Sequence, residues 1–390
     1  MKVYSEERLP IKSWCMEPDE SAIQQARNLA NLPFAFKHIA LMPDVHCGYG
    51  MPIGGVLAAK NYIIPNAVGV DIGCGVLAAK LNLTADTFAK DSLKAIMDMI
   101  RVGVPVGMKH NDMACDESKM PQKTIDCNLI PVVHQEYQSA RRQLGTLGGG
   151  NHFIEIQRGD DGFIWFMIHS GSRNLGKKVC DFYNKKAKEL NEKWCSSVPT
   201  KHDLAFLPYT ETTADCYIAE MNYCLEFAEQ NRAAIAEKIV GAFSCVMKMD
   251  CEPVILDVHH NYAALENHFG SNVWVHRKGA ICARKEMMGI IPGSQGTKSY
   301  IVRGKGNPNS FMSCSHGAGR KMGRTEARNN LDLQEQIDLM NAQGIVHGIR
   351  NKEDLDEAPG SYKDIDVVIR EQEDLVEIVT ELTPLGVIKA

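Results

Sequence analysis

The sequence predicts a mixed α+β fold built as one large domain, residues 1–390, in which short strands gather a central metal cleft. Three observations predict it. Helical and strand-like apolar periods interleave along the chain. No repeat, low-complexity linker or composition break divides the 390 residues. Imidazoles, a thiol and a carboxylate, far apart in sequence, recur beside glycine or at the ends of strand-like runs, where a rigid scaffold can aim them together. A chain of this length can bury a large core, and 44% apolar with 23% charged residues is ordinary for a globular protein.

Taken in order, residues 19–31 read as a helix with Ala22, Ile23, Ala26, Leu29 and Ala30 on one stripe. A glycine-rich block from Met42 to Gly75 reads as turns and close backbone approaches between short strands. It contains neither a P-loop nor a strand–GxGxxG–helix unit, so no mononucleotide or dinucleotide fold of those kinds is expected. Residues 84–99 read as a helix and 105–132 as an irregular loop. Gly145–Gly150 is a sharp backbone segment leading into Asn151-His152, and the strand-like run 163–168 delivers His169. Helices are expected over 174–191 and 214–243, and strands over 255–258, 273–276 and 299–302.

No run of 18 charge-free apolar residues occurs, and the first residues form no hydrophobic signal segment, so a cytoplasmic protein without membrane attachment is expected. The thirteen cysteines are dispersed and form no Cys-x-x-Cys pair, which reads as reduced core residues. A net charge of −5 argues against a protein that coats polyanions. Basic residues nevertheless concentrate between Arg277 and Arg324 while acids gather in 352–357 and 371–374, a distribution suited to a phosphate-bearing substrate at a focused site.

The chemistry-bearing residues are Asp71, Cys74, His152, His169, His260 and His316. Aspartate, cysteine and histidine together suit Zn²⁺, Mn²⁺, Fe²⁺ or Co²⁺, and the residue types alone do not rank these ions. The spacing Asp71-x-x-Cys74 lets both side chains reach one ion or two neighbouring ions. In Ser313-Cys-Ser-His316-Gly-Ala-Gly-Arg320, small residues leave space beside the imidazole, and the Arg320 guanidinium can meet a phosphate. From the residues alone, His316 can be a further metal ligand, a general acid or a phosphoryl-transfer nucleophile.

Several ordered motifs carry a resemblance. They are Pro43-Asp-Val-His46, Gly69-Val-Asp-Ile-Gly-Cys-Gly75, Gly150-Asn-His-Phe-Ile-Glu155, His169-Ser-Gly-Ser-Arg173, His259-His-Asn261, Arg277-Lys-Gly-Ala280, Pro292-Gly-Ser294, Ser315-His-Gly-Ala-Gly-Arg320 and Tyr362-Lys-Asp-Ile365. Almost from end to end, the chain resembles the RtcB family of RNA-splicing ligases, which join RNA ends using GTP. The resemblance implies the RtcB-like fold and two Mn²⁺ ions bridged by Cys74, with Asp71 and His152 on one ion and His169 and His260 on the other. His260 is chosen over His259 because the family's ligand directly precedes asparagine.

The resemblance also implies that His316 becomes a covalent guanylate, with Arg320 placing the phosphate. It nominates Asn151, Glu155, Asn261, Ser294, Ser299 and Lys389 for guanosine contacts. Asp44 and His46 are implied to support the site or position an RNA end. Arg173 reads equally as a phosphate contact or as a tie from the His169 loop to a carboxylate. The implied partners are an RNA with a 3′-phosphate or 2′,3′-cyclic phosphate, an RNA with a 5′-hydroxyl, and an archease-like activating protein. RNA splicing, tRNA processing and RNA repair all remain open as the biological setting. The alternative enzyme is a metal-dependent RNA end phosphatase or cyclic phosphodiesterase, which would not need His316 as a nucleophile.

Overall fold

Alternation along the strands decides the layering. A computed structural model describes residues 1–122 and 129–389. In strand Gly75–Thr84, Val76 and Ala78 enter one core while Leu77, Ala79 and Leu81 enter another. Strand Phe163–Ser170 divides likewise, with Trp165 and Met167 on the first side and Ile164, Phe166 and Ile168 on the second. The period of two therefore gives a sheet buried on both faces.

This sheet has seven strands in the order 253–259, 75–84, 163–170, 153–159, 376–388, 299–304 and 288–291, each antiparallel to its neighbours. A second sheet orders six strands as 2–4, 11–13, 35–46, 53–59, 271–278 and 261–268. Here Ala40, Met42, Val56 and Ala58 face the core shared with the first sheet, while Ile39, Leu41, Leu57 and Ala59 face helix Glu20–Ala30. The fold is thus a pair of sheets face to face, with helices on the outer side of each. It is a large mixed α/β domain with a central metal-binding cleft.

The helices expected over 19–31, 174–191 and 214–243 are found as Glu20–Ala30, Arg173–Lys193 and Thr212–Met247. Three expectations are corrected. Strand Gly75–Thr84 runs into the segment read as a helix from 84, and the helix is Lys90–Gly103. The loop read over 105–132 ends earlier, because Pro131 opens helix Pro131–Gln143; residues 123–128 of it lie outside the described residues. The glycine block carries longer strands than expected, including the twelve-residue Ala35–His46.

The 36-residue helix Thr212–Met247 explains how distant segments meet. Arg232 is fully buried in it, pairs with Asp257 and donates to the carbonyls of Gly73 (3.1 Å) and Ser170 (2.9 Å). Asn231 beside it accepts from the N–H groups of Gly145 and Thr146 and donates to Ser170 Oγ. Two adjacent side chains thereby fix the backbones that carry Cys74, His152 and His169. Each carbonyl left unmet in this buried interior would be expensive.

Candidate metal centre and nucleotide cleft

Each ligand-type side chain is delivered by a strand end or a tight turn. Asp71 and Cys74 sit on a turn closed by Cys74 N–H donating to the Asp71 carbonyl (3.1 Å). His152 precedes strand Phe153–Gly159, and His169 lies in the neighbouring strand, paired with Phe153. His260 is the link between strands Pro253–His259 and Asn261–His268, and its N–H donates to the Cys74 carbonyl (2.9 Å). Gly171 must be glycine for space, since a Cβ there would lie 2.3 Å from Asp71 Oδ1.

The ligand atoms form a row. Asp71 Oδ2 is 3.0 Å from His152 Nε2, which is 3.4 Å from Cys74 Sγ; Cys74 Sγ is 3.2 Å from His169 Nε2, and that atom is 3.4 Å from His260 Nε2. Cys74, His152 and His169 form the compact metal-binding triad within it. His152 Nδ1 donates to the Leu147 carbonyl and His169 Nδ1 to the Asn151 carbonyl, both at 3.1 Å. A carbonyl can only accept, so each Nε2 presents a lone pair. Lone pairs, a thiol and a carboxylate converge here, a donor set with charge and softness for a first-row divalent cation. The separations are also of the ~3.3 Å size expected between ligands on one ion with bonds of roughly 2.0–2.3 Å.

Electrostatics agree with an intended cation. Burial, reinforced by Asp71, pushes the Cys74 thiol well above its ordinary range. Burial, with the neighbouring imidazoles, pushes His169 and His260 well below theirs, so both rings are neutral near pH 7. A divalent ion would reverse the thiol's position and hold it as thiolate. His259 is turned away, with Nε2 2.8 Å from Glu229 and Nδ1 3.1 Å from the Gly73 carbonyl.

His316 stands at the end of this row, its ring centroid 4.7 Å from that of His260. It follows strand Ser313–Ser315, and Asp44 fixes it twice: Oδ2 accepts from His316 N–H at 3.0 Å and from Nδ1 at 2.6 Å. Asp44 is fully buried. Burial alone would raise its carboxyl, but the His316 ring and its hydrogen bond hold it below the usual value. With Nδ1 donating to Asp44, the neutral ring carries its lone pair on Nε2. Gly319, at φ +73°, lets the loop pass the Asp44 backbone, 2.3 Å from where a Cβ would be.

A cleft of about 1050 Å³ opens over Cys74, His169, His260 and His316 and extends to Glu155 and Lys389. It has room for a nucleotide. A family model described as tRNA-splicing ligase RtcB matches residues 25–390. The chain is 39% identical to the RNA-splicing ligase RtcB of Escherichia coli K12, over 98% of both chains. It is 33% identical to the tRNA-splicing ligase RtcB of Nanoarchaeum equitans, over 100% of this chain and 95% of that one. A Thermococcus kodakarensis tRNA-splicing ligase RtcB is 30% identical over 100% and 94%. The chain belongs to the RtcB tRNA-splicing ligase family. RtcB membership and the Cys–His–His triad together support metal-dependent enzymatic activity of the RNA-ligase type. No helix among the described residues is long and apolar enough to cross a membrane.

Against the RtcB expectations, most of the residues nominated for guanosine contacts line the cleft, among them Asn151, Asn261 and Ser294. Asn261 is also a structural clamp, donating to the Asp71 carbonyl and accepting from Gly279 N–H. Ser299 does not line it; its hydroxyl accepts from Gly293 N–H behind the Pro292–Ser294 turn. Arg173, at φ +60°, reaches Thr146 Oγ1 at 3.3 Å and lies 3.4 Å from His152 Nδ1. The carboxylate that its charge acts on is Asp71, whose pKa the Arg173 guanidinium helps to lower.

Glu155 is buried on its strand, where burial pushes its carboxyl up to about 8 despite a Gln157 hydrogen bond and the Lys389 charge. Lys389 and Arg320 do not point to a bare anion site. Both converge on Glu357, at 3.1 Å each, joined by Arg324 at 3.2 Å and the Tyr362 hydroxyl. Burial would raise Glu357, but Lys389, Tyr362 and the two arginines hold it down at about 2. Sequence reasoning missed this carboxylate, because it closes the acidic run 352–357 that reads as solvated. The apolar Leu355 and the Ala358-Pro359 step around it were the available signal of burial.

Proposed function

We propose that the whole chain, residues 1–390, is one catalytic unit, a GTP-dependent ligase that joins an RNA 3′-phosphate to a 5′-hydroxyl. The observation that carries the reading is His316: its Nδ1 is committed to buried Asp44, so its free Nε2 is offered at the edge of the metal-ligand row. Hydrolysis of a phosphate would not need this arrangement. Two Mn²⁺ ions, one held by Asp71, His152 and Cys74 and the other by Cys74, His169 and His260, would supply positive charge against the phosphate oxygens.

His316 Nε2 attacks the α-phosphorus of GTP; a P–N bond forms and pyrophosphate leaves. Asp44 stabilises the positive charge that develops on the imidazole ring and keeps it from rotating. A 3′-phosphate oxygen of the RNA then attacks the same phosphorus, the P–N bond breaks, and RNA-(3′)pp(5′)G results. The 5′-hydroxyl of the second strand attacks the terminal RNA phosphorus, GMP departs, and a 3′,5′-phosphodiester remains. A 2′,3′-cyclic phosphate is first hydrolysed to the 3′-phosphate. Guanine is read by Glu155, whose carboxylate would accept from N1–H and the 2-amino group, with Lys389 and Arg320 on the polar rim.

Incubation with GTP labelled at the α-phosphate and Mn²⁺, followed by peptide mapping, tests the reading. The expected label is acid-labile and sits on His316, and the same protein joins 3′-phosphate to 5′-hydroxyl RNA with the original phosphate at the junction. Labelling that survives His316→Ala unchanged, or end hydrolysis with no joining, would overturn it.

A further inference from the structure

A second cavity, of about 390 Å³, lies outside the cleft. Lys90, Lys94, His347 and Arg350 line it, and no carboxylate does. Elsewhere this acidic chain neutralises many of its cations: Lys80 pairs with Asp161, Lys119 with Glu237, Lys188 with Asp203 and Lys298 with Glu381. Lys90 and Lys94, one helical turn apart on Lys90–Gly103, have no such partner among the described residues, nor does the Arg350 guanidinium. That guanidinium is held by the carbonyls of its own loop, Ile349 at 2.6 Å and His347 at 3.0 Å. Like charges at this helical spacing repel, so an anion between them removes a penalty as well as adding attraction.

The cavity is tied to the cleft by the last strand. Val346, in the cavity wall, bridges Gly386, and Val387 N–H donates to the Val346 carbonyl at 2.8 Å. A Cβ at Gly386 would touch Met97 and Leu93 of the helix that carries both lysines. Lys389, which lines the cleft, is three residues further on, at most ~10 Å of extended chain. A strand whose end occupies the cleft can therefore reach the cavity within a few nucleotides.

We propose that Lys90, Lys94 and Arg350 form a subsite for backbone phosphates of the RNA strand engaged in the cleft. This rests on the RNA-ligase reading above. The subsite reads no base. It lengthens the contact with the body of the RNA, so that ends are held while the shorter-lived chemistry at His316 proceeds. The chemistry it recognises is a phosphate group, which a free polyphosphate also carries.

The test uses the full chain with Mn²⁺ and the exposed triple variant K90A/K94A/R350A, beside the charge-preserving K90R/K94R. Self-guanylylation is measured with labelled GTP, and binding of a ~20-nucleotide 3′-phosphate RNA and of a single nucleoside 3′-phosphate is measured against salt. Expected are unchanged guanylylation, roughly tenfold weaker binding of the long RNA at low salt, and a log–log salt slope shallower by about 2, the value for three lost phosphate contacts. The nucleoside 3′-phosphate, which has no backbone phosphate beyond the end held in the cleft, and the arginine variant should match wild type. Unchanged affinity and slope for the long RNA, in protein that still guanylylates and ligates, overturn the subsite and leave the ligase reading intact. Wild type that neither binds nor joins RNA overturns both. Inorganic tripolyphosphate that binds wild type but not the triple variant, without any change in RNA binding, overturns the assignment to RNA in favour of a free polyphosphate.

Discussion

The two ends of the cleft are built on opposite plans. At the metal end, short side chains are held by main chain: the second nitrogens of His152 and His169 are tied to backbone carbonyls, and His260 is held through its own N–H and C=O. At the opposite end, which the proposal above gives to guanosine, long side chains converge on one carboxylate, Glu357, which takes Arg320, Arg324, Lys389 and Tyr362. The first plan ties each ligand to main chain that cannot readily shift and gives no substitute for a lost ligand. The second distributes one negative charge over several flexible cations, so its members can be lost by degrees. Substitutions at the two ends should therefore differ in kind, abrupt at one and graded at the other.

The sharpest break is Cys74→Ser. The thiol lies midway along the row, so its loss removes the one atom shared by both halves, and a hydroxyl supplies neither the charge nor the softness of a thiolate. Guanylylation should fall by more than ~100-fold, beyond the loss usual for a group that merely supports a ligand. Metal content by mass spectrometry of the purified protein should fall with it. Retention of full metal occupancy in folded Cys74→Ser protein would remove the thiol from the centre of the site.

At the other end, Glu357→Gln keeps the shape and removes the charge. The buried carboxylate is lost while Arg320 and Lys389 stay, which should destabilise the fold by about 1–3 kcal/mol, reduced from a fully buried pair because Arg324 is half exposed. The cleft becomes more positive, so KM for GTP should hold steady or fall. The cations lose their anchor, so kcat for guanylylation should drop by roughly 10- to 100-fold. A rise in KM with kcat unchanged would mean that Glu357 acts on binding alone and that the graded plan is wrong.

The same contrast governs what the chain disclosed before its fold was known. His152, His169 and His260 were legible because strand ends and glycine turns surround them, and such neighbours are unusual for a core histidine. Asn231 and Arg232 were not: at helical spacing within 214–243 a polar pair reads as a wet face, although here both are fully buried. Strand Asn261–His268 escaped because its buried positions include Glu266 and His268, a hydrogen-bonded polar pair that breaks the apolar alternation. Helix Pro131–Gln143 buries only Val132, Val133, Ala140 and Gln143, too few apolar positions to show a stripe. Residues that act through tertiary pairing leave no local period, and most of the guanosine end is of this type.

The mildest perturbation is pH, and it acts on Glu155 with opposite signs in two measurements. Its folded value of about 8 lies above the 4.5 of the free group, because burial opposes ionisation. Its contribution to stability is therefore complete below about 4.5 and drains away as pH rises through about 8, so the GTP-free protein should lose stability over that window. In the proposed contact guanine takes the ionised form as acceptor, so GTP binding expels the proton and should strengthen as pH rises. The ionised fraction grows from about one-eleventh at pH 7 to one-half at pH 8, a roughly fivefold gain in affinity. Titration calorimetry in two buffers of different ionisation enthalpy measures the released proton directly, and Glu155→Gln should abolish its share. Proton uptake on binding, or a pH dependence unchanged in Glu155→Gln, would remove Glu155 from the guanine contact. The metal end should show the contrary trend at the acid limit: His169 and His260 are neutral when folded and take protons readily once unfolded, so stability falls only as pH drops below about 6.5. Moving from pH 7 to 8 thus probes the guanosine end while leaving those two imidazoles untouched.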